Sequence, residues 1–166
     1  MANEIPNVWP EDITLDIVTP QAILRIQAEN LRTQTKGLLH ARVTRTESDR
    51  EALYELDVIA PVLGSTHRVL NARHGKDVVY PVIVDAECFR REHKEADFQA
   101  IQTVLLGRKP RHPGAASTQD EFLKVIETVL GSNEVRSLLQ SLIARSNEAQ
   151  ASEPTSIGED QEPPTP

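Results

Sequence analysis

The sequence predicts an α+β fold with an N-terminal helix, a four-stranded antiparallel meander, and then a C-terminal helical segment and an αα-hairpin packed on the sheet. Apolar residues recur at helical spacing near the start of the chain and again after residue 118. Between these regions, apolar and polar residues alternate in short runs, as half-buried strands do. The runs are joined by short connections, and short connections join antiparallel neighbours.

The first helix is predicted over residues 20–36. Thr19 can cap its start, and Pro20 at the first helical position loses no hydrogen bond that the helix needs. Lys36 places a cation in the last turn, and Gly37 favours an end there. The predicted apolar face consists of Ile23, Leu24, Ile26, Ala28 and Leu31.

Four runs are predicted as strands, over residues 39–44, 54–58, 69–73 and 78–84. The last run is apolar on both faces and contains Pro81, which cannot donate a hydrogen bond to a neighbouring strand. We therefore expect this strand to lie at an edge of the sheet or to be bulged at Pro81. An uncovered edge at 79–84 can accept a strand from another chain, so self-association through it is one hypothesis.

The region after the sheet is predicted to be mostly helical. Residues 85–107 are expected to form a helical segment, and the basic, proline-rich stretch 108–114 a loop. Thr118 and Glu121 have the spacing of a capping box. Gly131 then ends one helix, Ser132 can cap the next, and that next helix carries an apolar stripe. The stripe consists of Val135, Leu138, Leu139, Leu142 and Ile143.

The chain of 166 residues suits one domain with two appendages. Residues 1–18 are predicted to form an N-terminal arm that Trp9 pins to the core, and residues 19–146 the single domain. Residues 147–166 are predicted to be a disordered tail, because they are rich in proline and polar residues and hold too little apolar surface to offset the entropy of ordering. The tail carries five acids and no lysine or arginine, out of a net charge of −7.

Composition argues against several classes of function. Outside the tail the charge is nearly balanced, which does not favour nucleic-acid binding. No apolar run reaches the roughly 18 residues that a membrane span needs. The chain has one cysteine, Cys88, and its first residues do not resemble a signal or transit peptide. The sequence therefore predicts a cytoplasmic protein without membrane or nucleic-acid partners.

Motifs for cofactor or catalytic chemistry are absent from the sequence. None of G-x-x-x-x-G-K-[ST], G-x-G-x-x-G, G-x-S-x-G and H-E-x-x-H occurs. Cys88 and His93 could hold zinc with a nearby carboxylate, but a structural zinc site usually has paired ligands and this chain has one thiol. Cys88 could instead be a nucleophile whose pKa is lowered by neighbouring arginines. We favour a small buried thiol, and we expect no metal, no cofactor and no catalytic residue.

Two surfaces are candidate binding sites. The loop after the second strand carries Val62 and Leu63, which either tuck under the N-terminal arm or contact another chain. Basic residues lie near the start of the predicted helical segment 85–107 and just after its end, and they would form a patch for a phosphate or an acidic partner if both ends meet. Otherwise they are ordinary solvated charges. The basic residues are Arg90, Arg91, Lys94, Arg108, Lys109 and Arg111.

Three functional hypotheses follow from these features. The favoured one is a protein-interaction module that acts by surface binding, such as an immunity-type or antitoxin-type inhibitor, an adaptor or a holding chaperone. Its partner would be another protein, or a second copy of this chain. The second is a small-molecule or phosphate-binding domain. The third is an enzyme with residues dispersed around Cys88 and His93, although aliphatic core faces offer few of the converging polar groups that enzymes need.

Overall fold

A computed structural model describes residues 17–90 and 112–152. Five strands form one sheet in the order β1-β2-β3-β4-β5, and each neighbouring pair is antiparallel. This is the predicted α+β class with one more strand than expected. The strands are β1 His40–Glu47, β2 Glu51–Ala60, β3 Ser65–Gly75, β4 Val82–Ala86 and β5 Ala115–Ala116, and the helices are α1 Pro20–Gln34, α2 Gln119–Leu130 and α3 Asn133–Ala151.

The three helices begin where their capping residues predict. The side-chain oxygen of Thr19 accepts a hydrogen bond from the backbone N–H of Ala22 at 3.3 Å. Thr118 accepts one from the N–H of Glu121 at 3.2 Å, and Ser132 caps α3 in the same way. Each bond satisfies a backbone donor that the first helical turn leaves unpaired, so the starts of the helices follow from local sequence.

The inner face of the sheet carries the core. Tyr54, Leu56 and Val58 alternate along β2 and are buried on this face, as predicted from their spacing. Leu70 and Ala72 continue the face on β3. The helices cover it with buried residues from each of their apolar faces, which are Ile23, Leu24, Phe122, Ile126, Val129, Val135 and Leu142.

A β-bulge in β3 changes which side chains face the core. Leu56 pairs with Leu70, but its neighbour Asp57 pairs with Arg68, so Val69 is the extra residue on β3. Val69 and Leu70 are consecutive in sequence and both buried. Simple alternation forbids this, and the bulge permits it because the pleat shifts phase there.

The predicted last strand is wrong in its position and its place in the sheet. It spans Val82–Ala86 rather than 78–84, and Pro81, which has no N–H to donate, directly precedes it. β4 is not at an edge, because Val82 and Ile83 pair with β5. β5 therefore occupies this side of β4 at Val82 and Ile83, and self-association through the 79–84 stretch stays a prediction.

Gly114 makes the pairing of β5 with β4 possible. The backbone N–H of Val84 donates to the carbonyl oxygen of Gly114 at 2.8 Å. A Cβ atom on residue 114 would lie 2.0 Å from the carbonyl oxygen of Val84. Only glycine allows the two backbones to approach this closely. The sequence places Gly114 in a predicted loop, because a strand of two residues has no recognisable alternation.

Three boundaries differ from the predictions. The first helix ends at Gln34 rather than 36, because the next turn is left-handed, with φ of 51° at Lys36 and 81° at Gly37. Asp85 belongs to β4, and the chain is helical from residue 87 to 90, where the described part stops. The helix α3 continues to Ala151, so residues 147–151 are not part of a disordered tail. No proline or glycine interrupts the chain there.

Candidate functional site

A cleft of about 530 Å³ opens between α1 on one side and the α2–α3 hairpin on the other. Its floor is the inner face of the sheet, and its walls are the facing sides of the helices. The floor consists of Ala41, Leu56, Val58 and Val69, and the principal apolar wall residues are Leu31, Leu123, Ile126, Leu130, Val135 and Leu139.

The cleft exists because the helices rest on different strands. α1 contacts mainly β1, whereas α2 contacts β4 and β5, and α3 contacts β2. α1 and α2 also contact each other directly, and the cleft lies beside this contact, above the floor. Ala28 on α1 and Ala41 on β1 line the cleft, and their small side chains leave space that larger residues would fill.

Amide side chains line the α1 side of the cleft. Gln27, Asn30 and Gln34 line it from α1, and Glu127 from α2. An amide group both donates and accepts hydrogen bonds. Among the described residues, no lysine, arginine or histidine lines the cleft. The cleft therefore suits an occupant that is mostly apolar and carries uncharged polar groups.

Leu123 is the most exposed of the apolar wall residues. Leu123 lies on α2 and is 39% exposed. Ile26 on α1 is more exposed, at 55%, but does not line the cleft. Leu123 and Ile26 are similar in size and differ in position. Substituting each in turn therefore distinguishes an effect of the cleft from an effect of surface hydrophobicity in general.

The apolar loop proposed from sequence lies away from the cleft lining. Residues Pro61–Leu63 form a 3-10 turn that Gly64 ends in the left-handed conformation, with φ of 60°. Leu63 is partly buried and packs on the core, and Val62 is 42% exposed. The turn contacts α3. Of the predicted N-terminal arm, residues 1–18, residues 1–16 lie outside the described residues.

The structure describes one of the six predicted basic residues, Arg90. Its guanidinium donates to both carboxylate oxygens of Asp85, from Nη2 at 2.8 Å and from Nε at 3.2 Å. This bond lowers the pKa of the Asp85 carboxyl. The other five residues, Arg91, Lys94, Arg108, Lys109 and Arg111, lie outside the described residues.

Cys88 is partly buried and packs on the core beside the start of α3. His93, with which it was considered as a zinc ligand or a catalytic pair, lies outside the described residues. Within the described part of the chain, no three His, Cys, Asp or Glu side chains come close enough together to hold a metal ion.

Sequence reasoning missed a polar network on the outer face of the sheet. The side chain of Asp57 is 6% exposed, although it lies on the face opposite the core. Arg68 donates to Asp57 and Glu55, and also to Asn71 Oδ1 at 3.2 Å. The hydrogen bond to Asp57 raises the pKa of Arg68. Arg42 reaches the other oxygen of Asp57 at 3.5 Å.

Comparisons with known proteins add no family to this description. The chain matches no family model, no curated protein and no solved structure. No helix in the described ranges is long and apolar enough to cross a membrane.

Proposed function

We propose that this protein is an interaction module that binds an apolar segment of another polypeptide in the cleft between α1 and the α2–α3 hairpin. The observation that carries the proposal is the cleft itself, which has an apolar floor and apolar walls and is open to solvent beside Leu123. Among the interaction modules considered from the sequence, an adaptor or a holding chaperone needs such a surface.

The amide side chains on the α1 side of the cleft favour a polypeptide as the occupant. A peptide segment brings apolar side chains together with backbone N–H and C=O groups, which must find partners when they leave water. Gln27, Asn30 and Gln34 offer both donors and acceptors along successive turns of α1. Recognition of apolar side chains in a groove between helices is a recurring mode of peptide binding.

A small apolar molecule is the second candidate, and the volume of the cleft favours it. Ligand cavities commonly measure about 300–1,000 Å³, and this cleft falls within that range at about 530 Å³. The two candidates differ in their contacts with the amide side chains of α1. A hydrocarbon-like molecule has no groups that form hydrogen bonds with them.

The test measures binding of two probes to the full-length protein and to two variants. The first probe is a soluble model peptide with leucine on one face and glutamine elsewhere, and the second is a small naphthalene dye. Leu123→Glu places a charge on the cleft wall, and Ile26→Glu places the same charge on an exposed site outside it. Thermal unfolding of both variants checks that the fold is intact.

We expect the peptide to bind the unmodified protein and its affinity to fall about tenfold or more in Leu123→Glu, because a leucine contact worth 1.5–3 kcal/mol is lost. Ile26→Glu should change the affinity less than about twofold. Binding of the dye without the peptide would replace the proposal with the small-molecule alternative. Equal losses in both variants would refute the cleft as the site.

A further inference from the structure

A second, polar groove lies on the other side of α1. It measures about 330 Å³ and runs between α1 and β1. Arg25 and Arg32 line it from α1, and Arg42 lines it from β1. Of the described residues that line it, Glu29 alone carries a carboxylate. The groove is therefore positively charged, in contrast to the apolar cleft.

Two of the three arginines are available to bind an anion. Arg25 and Arg32 are exposed and form no ion pair with any residue that the structure describes. Arg42 is engaged with Asp57, but at 3.5 Å and with 60% of its side chain exposed. Its guanidinium has five donors, so the contact with Asp57 leaves others for a second anion.

The groove also borders an edge of the sheet. Within residues 17–90 and 112–152, β1 pairs with β2 alone. Alternate residues of an edge strand direct their backbone N–H and C=O groups away from the sheet. An extended segment lying in the groove would thus meet both guanidinium groups and unpaired backbone groups.

We propose that this basic groove binds the acidic C-terminal tail of the same chain, residues 153–166. The inference is independent of the function proposed for the cleft. The tail contains Glu153, Glu159, Asp160 and Glu162 and no lysine or arginine. Its charge is complementary to that of the groove, and a carboxylate facing a guanidinium forms the strongest common type of protein hydrogen bond.

The course of α3 brings its C-terminal end, from which the tail continues, toward the end of the sheet where the basic groove lies. α3 starts beside Val69, since Val135 and Val69 line the same pocket, and it contacts the 3-10 turn Pro61–Leu63. It therefore runs toward that turn. The register pairs Ile59, just before the turn, with His40 at the start of β1. His40 lines the basic groove.

The tail is long enough to reach the arginines from there. Helix α3 ends at Ala151, and Glu159 is eight residues further along the chain. At about 3.3 Å per extended residue, those eight residues span up to about 26 Å. The distance from β3 to β1 across β2 is two inter-strand spacings, or about 10 Å.

A second copy of β1 is a poorer occupant of the same edge. An antiparallel pairing of two β1 strands over their full length would place Arg42 of each copy opposite Arg45 of the other. Like charges directly opposite each other destabilise a strand pair. The edge is therefore unsuited to this self-pairing and suited to an acidic segment.

The test compares backbone amide chemical shifts of two full-length proteins by NMR. In one, the tail acids are neutralised by Glu153→Gln, Glu159→Gln, Asp160→Asn and Glu162→Gln. We expect the two proteins to differ at Arg25, Arg32 and 40–43 in dilute buffer. The differences should disappear near 1 M salt, where the Debye length is about 3 Å.

A peptide of residues 153–166 added to the neutralised protein should restore the original shifts. Arg25→Glu with Arg32→Glu should weaken this binding about fivefold or more, the effect of reversing two exposed ion pairs. Arg145→Glu is the matched control, since Arg145 is exposed on α3 and closer to the tail in sequence. An equal effect of Arg145→Glu would refute the groove as the site, as would unchanged shifts at residues 40–43.

Discussion

The two faces of the sheet are held in place by different interactions. On the inner face, side chains such as Leu56 and Leu70 are buried under the helices. On the outer face, Asp57 is nearly as buried, but arginines cover it rather than apolar residues. Burial of apolar area contributes more to stability than partly exposed ion pairs do. The inner face should therefore dominate folding, and the outer face should contribute a smaller, salt-sensitive share.

The largest loss of stability is expected from a substitution at Gly114, where the backbone next to β5 approaches β4. Gly114→Ala puts a Cβ atom 2.0 Å from the carbonyl oxygen of Val84, so the backbone must move. We expect a loss of about 3 kcal/mol or more, the upper range for overpacking. In Gly64→Ala, a left-handed residue in open space gains a Cβ, which costs about 1 kcal/mol. Urea unfolding measures both. Equal losses would contradict the pairing of β5 with β4.

A cavity-creating substitution tests how much the inner face contributes to stability. Leu70→Ala removes a side chain that is 1% exposed, and truncations of this kind cost about 2–5 kcal/mol. Ile26→Ala truncates an exposed side chain of the same size and should change the free energy of unfolding by less than about 0.5 kcal/mol. If Leu70→Ala cost no more than Ile26→Ala, the inner face would not be the core.

The outer face is tested by removing the arginine that joins its acids. Among the ion pairs of the described residues, Arg68→Ala leaves Asp57 with the 3.5 Å contact to Arg42. Because Arg68 is 43% exposed, water screens the loss, and we expect about 1 kcal/mol. Arg45→Ala removes an ion pair in which both side chains are more than 40% exposed, so it should cost less than about 0.5 kcal/mol. If Arg68→Ala lowered the free energy of unfolding as much as Leu70→Ala does, the inner face would not contribute more to stability than the outer face.

The smallest effect is expected at the rim of the outer face and depends on pH. Arg90 lowers the pKa of Asp85 in the folded protein. The pair therefore adds stability above the unfolded pKa of about 3.9 and loses it as pH falls through the lower, folded value. The difference in melting temperature between the protein and Arg90→Gln should be small at pH 7 and should shrink as the pH is lowered toward 2. A difference that grows in acid would contradict the sign of this shift.

Much of the fold is predictable from local sequence. Thr19, Thr118 and Ser132 locate the starts of the helices, because capping depends on residues within one turn. The alternation of Tyr54, Leu56 and Val58 identifies the buried face of β2. The position of β4 is not predictable in this way. It depends on Gly114, which is 30 residues from its partner Val84 in sequence.

The candidate site is less predictable than the fold. Each wall residue, such as Leu31 or Leu139, reads from sequence as an ordinary core position. They line a cleft because α1 and the hairpin rest on different strands, and the spacing of helices is a tertiary property. The contact of Asp57 with Arg68 likewise requires the strand register, including the bulge at Val69.

The most direct test of the cleft is methyl NMR of the full-length protein with and without the leucine-faced peptide. The proposed function predicts that the methyl signals of Leu31, Leu130 and Leu139, which face the cleft from three helices, change together as peptide is added. The methyl groups of Val62 and Ile83, outside the cleft, should not change. Changes confined to Val62 and Ile83, with the wall leucines unaffected, would contradict the proposed function.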